Sequence, residues 1–226
     1  MKVCKKVAAL ITLTLVVALI GVKFCIDESG NMPIFEPVEI REYQGQNLSS
    51  MNDLRENSIK GSQNISKENY RLLITGLVTN NITYIYDEVM AKHQTYQKIV
   101  SLNCVEGWSV HILWDGVLVK DLLSDAMILP GANTVIFYAY DGYTTSLPLD
   151  YITLNGILLA YKMNGVTLPP ERGFPFQLVA ESKWGYKWIK WVTKIELSND
   201  TSYRGYWESY GYSNNADLNQ SFLENP

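Results

Sequence analysis

Cysteine and histidine are scarce in this chain, and their scarcity removes several kinds of chemistry at once. Among 226 residues there are 3 cysteines, at positions 4, 25 and 104, and 2 histidines, His93 and His111. Cysteines so few and so scattered do not make a disulfide framework. Nor do they supply a tetrahedral zinc site, which needs several Cys and His ligands together. No Cys-x-x-Cys-His sequence occurs, so no haem is expected. An excess of positive charge is missing too. The formal net charge is -4, and Lys2, Lys5, Lys6 and Lys23 all lie in the N-terminal segment, which leaves the remainder more acidic still. Such a body repels nucleic acid, and none is expected as a partner. Internal repeats and an alternating strand–helix rhythm are also absent, which argues against solenoids and doubly wound sheets.

What the chain does have begins with MKVCKKVAALITLTLVVALIGVKFC. Three lysines precede an apolar run over residues 7–22, the pattern of an export signal or a membrane anchor. The run is a little shorter than the roughly 20 residues of a spanning helix, and residues 24–26 extend it past a snorkelling Lys23. No small-x-small cleavage site follows. Residues 1–26 are therefore expected to be an apolar helix retained as a single membrane anchor. The lysines hold the N-terminus inside and put the rest on the extracytoplasmic side; a cleaved, secreted form is the alternative. Sequons at Asn47, Asn64, Asn81, Asn199 and Asn219 suit that location. Residues 27–67 are polar and without hydrophobic period, and read as a tether.

Residues 68–226 carry the globular pattern. Apolar, β-branched runs predict strands over 70–79, 98–103, 110–114, 134–140, 157–163, 176–180 and 188–197. Turns are expected at Trp114-Asp115-Gly116, Asp141-Gly142 and Asn164-Gly165. Helical spacing appears only over 85–92 and 119–126. The fold class this implies is α+β, mostly short strands in mixed sheets with few helices. The aromatic end, TSYRGYWESYGYSNNADLNQSFLENP, is expected to pack its rings on the domain surface.

Two stretches carry candidate chemistry. Cys104 ends a predicted strand at LNCVEGWS, where Glu106-Gly107 turn the chain. A lone thiol is most often a small buried hydrophobe; at a strand end it is also placed to be a nucleophile or a soft metal ligand. A nucleophile wants a histidine within reach. His111 lies in an apolar stretch and His93 in a polar loop, and neither suits that role. The second stretch, residues 168–197, contains two prolines, Gly173, and the cations Arg172, Lys187 and Lys190. Gly173 would let the backbone approach a ligand, and the three cations would converge on an anionic group. The structural alternative is a rim loop with solvated charges.

Four segments in order resemble a known family: Cys104-Val105-Glu106-Gly107-Trp108-Ser109, then DGYTTSLP at 141–148, LPPERGFP at 168–175, and GYK at 185–187 leading to KWV at 190–192. Their order and spacing resemble the sulfite-oxidase-type molybdopterin-binding domain family, especially its small haem-free bacterial and archaeal members. The resemblance runs from about residue 69 into the C-terminal region. It implies a molybdopterin cofactor with one molybdenum per chain, and Cys104 as the thiolate on the metal. Arg172 would stand against the cofactor, and Trp188, Ile189 and Lys190 would hold its phosphate region. It further implies two-electron oxo transfer on a small, S-oxygenated substrate such as sulfite or methionine sulfoxide. Without haem, electrons would pass to or from another protein or a small carrier. The chain departs from the pattern at Gln177, where relatives often have arginine, and at Ala139, where methionine-sulfoxide-reductase-like members use threonine. Lys5-Lys6 is not a twin-arginine signal. A degenerate member acting as a binding or surface module is thus the second reading, and a thiol enzyme built on Cys104 alone the third.

Overall fold

Short runs of β-branched and aromatic residues, bounded by Gly, Asn and Asp, become strands wherever both faces find cover. The computed structural model describes residues 38–224. The expected anchor at residues 1–26 lies outside the described residues. Among those described, no helix is long and apolar enough to cross a membrane.

The chain opens with a small hairpin, β1 (Glu42–Tyr43) and β2 (Gln46–Asn47). Then come β3 (Leu72–Gly76), β4 (Ile82–Tyr84), the helix α1 (Tyr86–Lys92), β5 (Thr95–Asn103) and β6 (Ser109–Leu118). A second helix, α2 (Val119–Asp125), leads to β7 (Thr134–Ala139), β8 (Thr144–Pro148) and α3 (Leu149–Leu154). The last strands are β9 (Leu158–Met163), β10 (Val166–Thr167), β11 (Gln177–Val179) and β12 (Val192–Ser198).

Two five-stranded sheets result. One has the order β10-β9-β6-β5, with β11 also paired to β9; the other has the order β4-β3-β12-β7-β8. All pairings are antiparallel except β3 with β12, which are parallel. The expected mixed α+β architecture with few helices is thus observed. One hydrophobic cluster draws on both sheets, from Leu72 and Ile74 on β3 to Ile112 and Trp114 on β6. Trp114 is fully buried and donates its indole N–H to Val100 O at 3.2 Å.

Three expectations are corrected. The Trp114-Asp115-Gly116 turn is instead the middle of β6, where the pairing with β9 shifts register at Asp115/Gly116. Asp and Gly mark a bulge here, not a reversal. A Cβ on Gly116 would lie 2.6 Å from Leu159 O, so Gly116→Ala is expected to destabilise the protein by about 1–3 kcal/mol in urea unfolding. The strand expected over 188–197 begins only at Val192, because residues 188–191 are drawn out of the sheet toward a cleft. Third, the described part of the polar stretch 27–67 is packed from Glu39 on, in the same compact unit as the rest. Leu48, Leu54 and Ile65 are buried, and the fully buried Asn164 donates to Glu39 Oε1 (2.8 Å) and Ser49 O (2.9 Å). Its few apolar residues reach into the domain one at a time, Leu54 and Ile65 into the common core, so they show no period.

Candidate active site

Where β5 passes into β6, the loop 104–108 closes on itself. The Cys104 N–H donates to Trp108 O (2.9 Å) and the Gly107 N–H to Cys104 O (3.1 Å). This turn holds the Cys104 side chain in the wall of a cleft of about 300 Å³. Cys104 is 8% exposed, and Asn57 Nδ2 donates to its Sγ at 3.9 Å. Burial pushes the thiol pKa up; the backbone N–H groups of Glu106 and Val105 and the charge of Arg55 pull the other way.

The same cleft takes in part of the second candidate stretch, residues 168–197. Trp188, Ile189 and Lys190 all line it, and so does Arg172. Trp188 is fixed by its indole N–H on Lys183 O (3.0 Å) and by the ring of Trp114, 5.8 Å away. Lys190 Nζ lies 2.9 Å from Glu56 Oε1, 3.2 Å from Glu171 O and 4.3 Å from the Trp191 ring centroid. Burial lowers its pKa while Glu56 opposes the shift. The Arg172 guanidinium donates to Leu54 O at 2.7 Å.

Two residues expected at a ligand stand elsewhere. Gly173 does make a close approach, with φ of 97°, but to protein: a Cβ there would meet Lys190 Cβ at 3.0 Å and Gln177 Cβ at 3.2 Å. Its role is to let Lys190 and β11 pack together. Lys187 points away from the cleft into the core and is wholly buried. Its ammonium bonds Glu208 Oε1 (2.5 Å), Ser146 O (2.9 Å) and Asn214 Oδ1 (3.3 Å). The partner lies 21 residues on, in the aromatic C-terminal segment, which is why linear spacing did not pair them. Gln177 lines the cleft; Ala139 is buried.

Residues that sequence reading missed include Arg55, Asn57 and Ser58, which sat in the supposed tether and line the cleft. Ser58 Oγ is buried without a partner. Both histidines are placed as expected, away from the cleft: His93 between Val89 O (2.8 Å) and Asp125 (3.0 Å), His111 on Ser101 Oγ (2.8 Å). Among the described residues, no three His, Cys, Asp or Glu side chains gather as a metal site of their own. A metal at Cys104 would need ligands brought by a cofactor.

Known proteins resemble this chain over most of its described length. The chain is 35% identical over 156 residues to the uncharacterized oxidoreductase YuiH of Bacillus subtilis, covering 68% of this chain and 78% of that one. It is 33% identical over 145 residues to the protein-methionine-sulfoxide reductase catalytic subunit MsrP of Gluconobacter oxydans, covering 57% of this chain and 46% of the relative. It thus spans about half the length of that reductase subunit. Among solved structures, the sulfane dehydrogenase SoxCD from Paracoccus pantotrophus superposes with a TM-score of 0.59 at 22% identity, over 62% of this chain and 41% of that one. That likeness is one of fold. The model of the oxidoreductase molybdopterin binding domain matches residues 59–207, which include Cys104, Arg172 and Lys190. By that match the chain belongs to the oxidoreductase molybdopterin binding domain family, and it is an oxidoreductase of that class.

Proposed function

We propose that this protein carries out two-electron oxo transfer on a small S-oxygenated substrate, with Cys104 as the protein's ligand to a molybdenum held by molybdopterin. One observation carries the reading. A single thiol shares a cleft with three cations, Arg55, Arg172 and Lys190, drawn from segments far apart in the chain. The donor set fits the cofactor: one soft ligand for the metal, fixed cations for a phosphate, and the unpartnered Ser58 Oγ as a further polar group. When bound, the cofactor supplies oxygen-atom and electron-pair transfer at its metal.

The chain's own residues would then bind and orient. Arg172 and Lys190 hold the phosphate region; to do so Lys190 must share or release Glu56, its present partner at 2.9 Å. Trp188 and Ile189 shape the wall beside it. Coordination would remove the thiol proton that burial now favours. Reduction of an S-oxide is balanced by two electrons and two protons, the oxygen leaving as water. The electrons come from an outside donor protein or small carrier. Residues 1–26 would anchor the domain at the membrane on its extracytoplasmic side, in keeping with their lysine-flanked apolar run.

Elemental analysis of the protein isolated from its native source tests the core of this reading. About one molybdenum per chain is expected; its absence would leave the fold as a binding or cell-surface module. The anchor is tested separately: the protein should stay with membranes through a high-salt wash, and release would mean the leading segment had been cleaved.

A further inference from the structure

One wall of the cleft carries none of the residues assigned above to the cofactor. It is aromatic, and its rings come from the C-terminal segment: Trp207 and Tyr212 line the same space as Cys104, with Tyr186 beside them. The Trp207 and Tyr212 centroids are 5.2 Å apart at 47°, and Tyr212 meets Tyr186 edge-on at 5.2 Å. The segment is held firmly. Arg204 grips both oxygens of Glu224 at 2.6 Å and donates to Glu208 O at 2.9 Å, while Glu208 is tied to Lys187 in the core. Yet Trp207 remains 38% exposed within this braced frame.

Hydrogen bonding sets Trp207 apart. Five of the six tryptophans, residues 108, 114, 184, 188 and 191, donate their indole N–H to an acceptor. The Trp207 indole N–H has no acceptor among the described residues, and neither has the Tyr212 hydroxyl. The wall therefore offers apolar ring faces with two spare donors. Charge points the same way: Arg55, Arg172 and Lys190 are matched along the lining by Glu106, Asp141 and Glu171. A cleft so balanced does not concentrate a small inorganic anion. The match to the family model ends at residue 207, so Tyr212 and the Glu224 brace lie beyond it.

We infer that Trp207 and Tyr212 form a substrate subsite that selects a neutral organic S-oxide, a thioether sulfoxide with an apolar or aromatic substituent, over inorganic sulfur oxyanions. The inference rests on the oxo-transfer reading above. The substituent lies on the ring faces, where apolar burial and sulfur–aromatic contact favour it. The spare indole and phenol donors suit the strongly accepting S–O oxygen as the substrate enters. In the reaction the S–O bond breaks, the thioether leaves, and the oxygen departs as water with two electrons from a reduced carrier and two protons from solvent.

Molybdenum-loaded protein with reduced methyl viologen as donor provides the test, using methyl p-tolyl sulfoxide and dimethyl sulfoxide as substrates. Trp207→Ala and Tyr212→Ala should each lower the ratio of kcat/KM for the tolyl over the dimethyl compound by about three- to tenfold, mainly through KM. Trp207→Phe, which keeps a ring, should recover most of that loss. An unchanged ratio in both alanine variants overturns the subsite while leaving the reaction in place. Wild type that oxidises sulfite with ferricyanide faster than it reduces either sulfoxide overturns it equally. Loaded wild type inert toward every S-oxide removes the reaction reading, and the subsite with it.

Discussion

Lys187→Met is expected to lower the free energy of unfolding by about 3–5 kcal/mol, the scale of stripping one partner from a buried ion pair. The side chains of Lys187 and Glu208 are both 0% exposed, and the ammonium makes three bonds there. Without it, Glu208 keeps only the Thr145 hydroxyl, at 2.5 Å on Oε1, and its Oε2 already lacks a partner. A carboxylate in that position must either stay charged in a dry site or take up a proton, and both are costly. The midpoint in urea should fall accordingly. The control is the double variant Lys187→Met with Glu208→Met. Removing both charges should bring stability back to within about 1 kcal/mol of wild type or above it, since buried pairs often do no better than apolar packing. A double variant as unstable as the single would mean that the pair packs a shape no methionine can fill. Equal stability of the single variant and wild type would contradict the burial seen here.

Cys104→Ser tests the other end of the molecule's logic, and its effect should fall on chemistry and not on folding. A hydroxyl is a hard and weakly acidic donor where a soft thiolate is proposed. Loss of metal and turnover should exceed the about 10–100-fold that outer-sphere partners of a metal usually cost. Molybdenum content and turnover should drop together. Stability of the cofactor-free protein should change by less than about 1 kcal/mol, since serine is nearly isosteric and the side chain, at the edge of the core cluster, also faces the cleft beside Asn57. A serine variant that kept its metal and its rate would remove Cys104 from the metal's coordination sphere.

These two residues also mark how far linear reading reaches. Cys104 was legible because its surroundings are local: a strand ends, Glu106-Gly107 turn, and the hairpin to β6 closes within five residues. Motif order singled out Lys190 and Arg172, and the fold puts both in the wall of the cleft that Cys104 lines. Lys187 was misread because a lysine three residues before Lys190 carries no mark of which face it takes. Only Glu208, arriving from the C-terminal segment, decides that it turns inward. Arg55, Asn57 and Ser58 escaped for a related reason. A segment whose few apolar residues reach singly into a core built by other elements shows no period, so it reads as solvent-exposed chain until that core exists.

The strand-rich α+β class, the hairpin turn at Asn164-Gly165, the helices near 85–92 and 119–126, and the lone thiol at a strand end could all be read along the chain. All of these follow from short-range rules: alternation, turn chemistry and side-chain spacing. The tertiary structure alone decided which cations line the cleft, which of them Glu56 and Glu208 take as partners, and that the aromatic end supplies a cleft wall. Those outcomes depend on contacts between residues 20 to more than 130 positions apart. No local propensity encodes such distances; they are set as the sheets assemble, β12 pairing in parallel with β3, and residues from 54–59, with Trp207 and Tyr212, come to line one cleft.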